Sequence, residues 1–191
     1  MKMLVTGFEP FGNMEINPAW LAVERLPEMI GKWEIRSLKL PTVFGRAADM
    51  AIQAAEEWKA DAVLSVGLAK GRAAVTVEMA ALNLRYGRIP DNAGASPMDE
   101  PVCPGAPAAY FATVPVRHMA NAIKAAGIPG EVSYSAGVFV CNDLMYSLLH
   151  HFAASPVRAG FIHVPQLPRM GEPSLTLDQI TSALAAAIQA M

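Results

Sequence analysis

Charged residues are scarce in this 191-residue chain, at 17% of the total, and the formal net charge is only −2. A protein with so little charge offers no electrostatic attraction for nucleic acid or for an anionic membrane surface. No apolar run approaches the roughly 18 residues of a membrane-spanning helix, and the N-terminus lacks the pattern of a signal peptide. We therefore expect a soluble protein whose partners include neither nucleic acid nor a membrane.

Cysteine is equally scarce, because Cys103 and Cys141 are the only two in the chain. They can form at most one disulfide, so the sequence does not describe a disulfide scaffold. A reducing, cytoplasmic setting is the expectation, and it would keep a reactive thiol usable.

Motifs for metals and phosphates are also missing. His150 and His151 are adjacent on a predicted helix, so their rings point about 100° apart and cannot grip one metal ion together. The loops at 7–12 and 67–71 contain glycines but lack the spacing of a phosphate-binding or dinucleotide-binding loop. We expect no metal and no cofactor.

Hydrophobic residues, by contrast, make up 53% of the chain, enough for a full core in one domain spanning residues 1–191. Strand-like and helix-like patterns alternate along the sequence. The predicted strands cover residues 2–6, 34–40, 61–66, 74–82, 132–134 and 160–164. The predicted helices start near Asn17, Thr42, Val116, Cys141 and Thr176. This alternation predicts an α/β fold with a mainly parallel twisted sheet and helices on both faces.

In such folds the functional residues gather at the carboxyl ends of the strands. The loop at 8–11 follows the first predicted strand, and the turn at 67–72 follows the strand ending at Val66. Cys141 follows the strand ending near Tyr134, and His163 closes a short buried strand. These candidates are therefore expected to meet at one edge of the sheet.

Cys141 is predicted to lie at a helix N-terminus, where the helix dipole and free N–H groups favour a thiolate. With His163 as proton carrier and a carboxylate such as Glu78, it would form a nucleophilic Cys–His–acid set. Each member also has a structural interpretation. Cys141 is compatible with a buried small hydrophobe, His163 with a core histidine and Glu78 with an exposed strand carboxylate. Cys103 lies on an irregular loop without a helix behind it and is interpreted as structural.

Six sequence blocks carry a resemblance to a known family. They are Thr6–Gly12, Gly67–Arg72 leading to Glu78 and Asn83, Arg88–Asn92, Pro104–Pro107, Ser135–Gly137 with Cys141-Asn142, and Gly160–Pro165. In this order and spacing, the chain resembles the type I pyroglutamyl peptidases (pyrrolidone-carboxylate peptidases), cysteine peptidases that remove an N-terminal pyroglutamate from peptides.

The resemblance implies a catalytic triad of Cys141 as nucleophile, His163 as base and acid, and Glu78 as the third member. It also implies a single α/β/α domain, often assembled as a homotetramer. Its implied substrate-binding positions are Phe8, Phe11, Asn17, Leu68, Phe139 and, in the oxyanion region, Arg88.

The expected substrate also suits the residues themselves. Pyroglutamate has no charged amine, so its pocket should be apolar and aromatic, with a few backbone hydrogen bonds to the lactam. Phe8 and Phe11 fit this design, although both would also serve as core residues under their loop.

Two positions depart from the family pattern: Asn13 replaces a usual glycine, and Met79 replaces a common arginine and removes a charge near Glu78. Two other functions stay open at this point. One is a non-catalytic protein of the same fold that binds a lactam, and the other is an esterase or amidase with a different substrate.

Overall fold

The computed structural model describes all residues from 1 to 191 and is built around a seven-stranded sheet. The strands are β1 (Lys2–Phe8), β2 (Met29–Ile30), β3 (Trp33–Leu40), β4 (Ala62–Leu68), β5 (Val75–Glu78), β6 (Ala80–Leu82), β7 (Ala109–Phe111), β8 (Gly130–Ser133) and β9 (Arg158–Val164). The α-helices are α1 (Pro18–Val23), α2 (Arg46–Trp58), α3 (Val116–Ala125), α4 (Val140–His151) and α5 (Leu177–Gln189). None of these helices has the length and apolar character needed to cross a bilayer.

The strands of the large sheet follow the order β2-β3-β1-β4-β9-β5-β8. Strands β3, β1, β4 and β9 run parallel, and β5 is parallel to β8. Only β2 with β3 and β5 with β9 pair antiparallel. The α/β class and the mainly parallel sheet predicted from the alternating pattern are confirmed. The antiparallel pairing of β5 is the departure that matters for the site.

Helices cover both faces of the sheet, and each face has its own apolar cluster. Alternate residues of β1 show the division, because Met3 and Val5 join one cluster whereas Leu4 and Phe8 join the other. Helices α1, α3 and α5 pack on the first face, and α2 and α4 on the second. The predicted helix start at Thr176 is confirmed, and it forms a capping box in which Thr176 and Gln179 exchange side-chain and backbone hydrogen bonds.

Two elements differ from their predicted form. The strand predicted over 74–82 breaks at Met79: β5 joins the large sheet, and β6 pairs with β7 in a separate two-stranded ribbon. Helix α2 starts after Gly45, whose φ of +72° suits a residue without a side chain, and not at Thr42. The Thr42 hydroxyl instead donates a hydrogen bond to the Glu9 carbonyl. Both differences arise from contacts between residues that are distant in sequence.

Helix α4 is fixed to the ribbon by Asn142, whose side chain is completely buried. Its Oδ1 accepts a hydrogen bond from the Leu82 N–H at 2.8 Å, and its amide donates to the Leu82 and Leu84 carbonyls, each at 2.9 Å. The neighbouring Asp143 carboxylate pairs with Arg85 and accepts the Gly45 N–H. Two successive side chains therefore hold the start of α4 against two separate segments, residues 82–85 and Gly45.

Replacing Asn142 with aspartate should lower the stability of the whole fold. Aspartate keeps the shape but loses both donors and buries a charge next to two carbonyl oxygens, at a cost of about 3 kcal/mol or more. At about 2–4 °C per kcal/mol for a domain of this size, Tm should fall by roughly 6–12 °C in calorimetry. Asn121→Asp, at an exposed position on α3, is the matched control and should change stability by less than about 0.5 kcal/mol. Equal Tm values for the two variants would contradict the role assigned to Asn142.

Candidate active site

Glu78 and His163 form a buried hydrogen bond between the two antiparallel strands. His163 is near the end of β9, opposite Thr76 of β5, so Glu78 lies diagonally across from it on the same face. The Nδ1 atom of His163 is 2.7 Å from Oε1 of Glu78. Because a carboxylate only accepts, Nδ1 carries the proton and Nε2 is left free to exchange one. Glu78 is 0% exposed and His163 is 5% exposed, which excludes the exposed-strand interpretation of Glu78.

Arg72 is the second partner of Glu78, and the sequence analysis assigned it no role. Its guanidinium donates to Oε1 at 2.7 Å and also contacts the Thr76 hydroxyl. Burial alone would raise the pKa of Glu78, but the hydrogen bond and charge of His163, together with the hydrogen bond from Arg72, hold it below its usual value. The carboxylate is therefore ionised at neutral pH.

Cys141 is the second residue of α4, and its sulfur packs on the end of β4. Gly67 of β4 makes this possible, because a Cβ there would lie 2.9 Å from the Cys141 Sγ and 2.9 Å from the Phe161 ring. At the start of any α-helix the first N–H groups have no intrahelical acceptor. No side chain caps α4, so the N–H groups around Cys141 are available to a ligand.

The environment of Cys141 favours the neutral thiol. Burial and, second, the Glu78 carboxylate raise the pKa of Cys141 to about 12, although Arg72 acts in the opposite direction. The sequence analysis expected the helix N-terminus to favour the thiolate. Burial outweighs that effect in this structure. Ionisation of Cys141 would therefore require a base, and the His163 imidazole lines the same cavity.

A cavity of about 150 Å³ joins Cys141 and His163 to the aromatic residues. Its walls come from the end of β1 and the loop after it, the segment after β3, the end of β4 and the turn before α4: Phe8, Phe11, Thr42, Leu68, Ala136, Gly137, Val138 and Phe139. The Phe11 and Phe139 rings lie 6.1 Å apart, and Phe8 packs on Phe161 at 6.4 Å. An apolar cavity of about this size holds a benzene ring. A small planar ring therefore fits beside the thiol.

Asn17 and Arg88, which the resemblance placed near the substrate, do not line this cavity. Asn17 is buried as the N-cap of α1, where its side chain accepts the Ala19 N–H and donates to the Glu9 carbonyl. Its contribution is to fix the loop that carries the two phenylalanines. Arg88 is exposed and lines a neighbouring apolar cavity of about 380 Å³, whose walls include Phe11 and Phe139.

The irregular span at 88–107 packs on the aromatic loop. Asn92 donates hydrogen bonds to the Glu9 carboxylate at 2.7 Å and to the Pro10 carbonyl at 2.9 Å. Asp91 accepts the Phe44 N–H at 3.0 Å. These bonds tie three segments together around the cavity mouth.

A second cysteine–histidine pair lies outside the cavity. The Cys103 Sγ is 3.5 Å from Nε2 of His150, and the Tyr110 hydroxyl is 2.9 Å from Nδ1. No carboxylate is hydrogen-bonded to this imidazole, and His150 is exposed. The pair thus lacks the orienting acid, the enclosed cavity and the helix N-terminus that Cys141 has.

Three contributors were missed by sequence reasoning: Arg72, Gly67 and Thr42. Gly67 carried a usable signal, because a glycine at the end of a buried strand often marks a close approach. Arg72 and Thr42 carried none, since their roles depend on pairing between distant segments. Met79 points away from Glu78 and packs on the other face of the sheet. An arginine at position 79 would therefore also begin on the face opposite the acid.

The comparisons with known proteins indicate the same family over the whole length of the chain. The family model described as pyroglutamyl peptidase matches residues 1–191. The pyrrolidone-carboxylate peptidase of Levilactobacillus brevis is 50% identical, with 100% of this chain and 97% of that protein covered. That of Erwinia tasmaniensis is 46% identical, with 98% of this chain and 91% of that protein covered.

Solved structures agree as well. Pyroglutamyl peptidase I of Bacillus amyloliquefaciens superposes with a TM-score of 0.96 at 42% identity, covering 99% of this chain and 95% of that one. Pyrrolidone carboxyl peptidase of Thermococcus litoralis gives 0.94 at 37% identity, covering 99% and 92%. With its full length matched and its fold shared, the chain belongs to the pyroglutamyl peptidase family and is a pyroglutamyl-peptidase I, a cysteine-type hydrolase.

Proposed function

We propose that this enzyme removes N-terminal pyroglutamate from peptides through a Cys141–His163–Glu78 triad in a single catalytic domain. The observation that carries the proposal is the position of His163. Its Nδ1 is held by the buried Glu78 carboxylate, and its ring shares a cavity of about 150 Å³ with the Cys141 thiol. A histidine that serves only to fill the core would not require both a buried carboxylate at Nδ1 and a cavity shared with a cysteine thiol.

Acylation begins when the substrate carbonyl lies against the Cys141 sulfur. His163 Nε2 takes the thiol proton as Sγ attacks the carbonyl carbon, and Glu78 stabilises the imidazolium that forms. The N–H groups of Cys141 and Asn142, at the start of α4, donate to the oxyanion. The imidazolium then gives its proton to the leaving amine, the C–N bond breaks, and a thioester to Cys141 remains.

Deacylation repeats the sequence with water. His163 removes a proton from a water molecule, the hydroxide attacks the thioester carbon, and the second oxyanion occupies the same N–H groups. The C–S bond breaks, the sulfur recovers the proton from His163, and free pyroglutamic acid leaves. Neither half requires a metal ion or a cofactor.

The cavity also explains why the substrate should be a lactam. An ordinary peptide N-terminus carries an ammonium group that needs a carboxylate or another strong acceptor. The walls beside Cys141 are aromatic and aliphatic, and the ionised Glu78 is occupied by His163 and Arg72. The uncharged pyroglutamyl ring can enter this space, with backbone groups near Leu68 available to its N–H and C=O.

A thiol nucleophile works best where it stays reduced, so we place the enzyme in the cytoplasm. For its assembly we propose self-association, as the resemblance implies, up to a homotetramer. The β6–β7 ribbon offers a surface for it, because Phe111 and Leu82 project from the same apolar face and Phe111 is 74% exposed.

Replacing Cys141 with serine should reduce cleavage of a pyroglutamyl amide reporter by at least about a thousandfold, because the nucleophile is lost. Cys103→Ser should keep the reporter activity within about twofold of wild type. Intact mass spectrometry during turnover should show a pyroglutamyl adduct on the wild type only. Loss of activity in Cys103→Ser with retention in Cys141→Ser would assign the reaction to the outer cysteine–histidine pair instead.

Replacing Arg72 with glutamine should lower kcat/KM by roughly tenfold, the effect of about one pKa unit at the nucleophile. The substitution removes one interaction that lowers the pKa of Glu78 and one that lowers the pKa of Cys141. The Glu78 carboxylate then protonates at higher pH, so the acid limb of the pH profile should move upward. Arg72→Lys should recover part of the loss. A uniform loss at every pH, with no lysine rescue, would mean that Arg72 serves only the fold.

Phe111→Ser should shift the enzyme toward smaller species if the ribbon face is buried between copies. Light scattering coupled to size-exclusion chromatography measures this directly over a range of concentrations. Met29→Ser is the control, because Met29 is also exposed but lies on β2. This variant should keep the wild-type mass. An unchanged mass for Phe111→Ser would place the interface elsewhere.

A further inference from the structure

Two polar clefts lie beyond the catalytic cavity, and the proposed reaction does not use either of them. The first, here called the outer cleft, has a volume of about 620 Å³ and is lined by residues that include Phe11, Asn13, Lys70 and Asp91. The second, the end cleft, has a volume of about 300 Å³, with Glu15, Lys70 and Arg169 among its residues. Both are far more polar than the cavity beside Cys141.

The three spaces adjoin one another. Phe11 lines both the catalytic cavity and the outer cleft. Asn13, Met14 and Lys70 line both the outer cleft and the end cleft. A chain that begins in the catalytic cavity can therefore pass over Phe11, run beside Lys70 and reach Arg169.

The cations of this path are available to an anion. Lys70 and Arg169 are exposed, and no carboxylate lies within ion-pair distance of either. The two carboxylates that line the clefts are Asp91 and Glu15. Both oxygens of Asp91 are held by backbone N–H groups, Oδ1 by Ala93 and Ala95 and Oδ2 by Phe44, so this carboxylate does not pair with Lys70.

We propose that the two clefts bind the peptide segment that follows the scissile bond, and that Lys70, with Arg169, selects an acidic side chain in that segment. The inference rests on the proposed function, which puts the scissile bond at Cys141, and it takes the rest of the peptide past Phe11 into the adjoining outer cleft. An extended peptide advances about 3.3–3.6 Å per residue, so a side chain a few residues beyond pyroglutamate reaches these cations. The path thus adds a charge preference to an enzyme whose first pocket is uncharged.

The test uses amidated peptides that start with pyroglutamate and carry one glutamate or one glutamine at the second, third or fourth following position, with alanine elsewhere. We expect kcat/KM to be about two- to fivefold higher for glutamate at one or more of these positions, the range of a solvent-exposed ion pair. Salt at 0.5 M should reduce the ratio, because such a pair is screened. In Lys70→Gln the glutamate-to-glutamine ratio should fall to about one.

Lys124→Gln is the matched control, since it removes the same charge from an exposed position on α3 and should keep the wild-type ratio. A ratio near one at every position in the wild type would overturn the proposal. A ratio that survives both Lys70→Gln and Arg169→Gln would overturn it equally. Free-acid forms of the glutamine peptides test the other source of a carboxylate, and a gain confined to them would assign the site to a peptide C-terminus instead.

Calorimetric binding of the same peptides to Cys141→Ser reports the charge preference without turnover. Failure of the wild type to cleave a short pyroglutamyl reporter would refute the proposed function. A preference for glutamate in binding would still be visible in that case. The proposed function and the proposed charge preference can therefore be refuted independently.

Discussion

The hydrogen bond between Glu78 and His163 is the contact on which the site depends. Removing a carboxylate from water costs several kcal/mol, and the charge persists only where partners compensate for that cost. Glu78 has two partners at 2.7 Å, His163 and Arg72, and both bind the same oxygen. The other oxygen, Oε2, is buried without a hydrogen-bond partner. The carboxylate is thus fixed through one atom, and the orientation of the imidazole follows from it.

This contact exists because β5 runs against β9. In a fully parallel sheet, catalytic groups gather beyond the carboxyl ends of the strands. Here Glu78 enters from a strand of opposite direction and meets His163 diagonally, within the sheet. The acid is completely buried, whereas Cys141 and His163 line the cavity. The reversed strand explains how one site contains both a buried anion and an accessible thiol.

Local patterns in the sequence were sufficient for most of the architecture. The alternation of strands and helices, the helix start next to Cys141 and the capping box at Thr176 depend on residues close together in the chain, and all appear in the structure. The break at Met79 and the direction of β5 depend on pairing with distant strands, so no local pattern could show them. The burial of Glu78 follows from that pairing and was missed for the same reason.

The protonation state of Cys141 could not be predicted from the neighbouring sequence, and the energies involved show why. A helix N-terminus contributes about 0.3–1 kcal/mol toward an exposed negative charge and up to about 2 kcal/mol when partly buried. Burial acts in the opposite direction and is larger here, since the pKa of Cys141 rises to about 12. Only the folded structure reveals how much water the sulfur loses. A resting thiol is what the proposed triad requires, because its base, His163, lines the same cavity and is held by Glu78.

The two departures from the family pattern have different consequences in this structure. Met79 packs into the apolar cluster on the face opposite Glu78, and the arginine that pairs with the carboxylate is Arg72. Asn13 lies in the walls of both outer spaces and adds a polar side chain next to Lys70. Neither position touches the sulfur, the imidazole or the acid. Under the proposed peptide path, variation at Asn13 should therefore affect how the rest of the peptide is held, and under the proposed triad it should leave the chemistry at Cys141 unchanged.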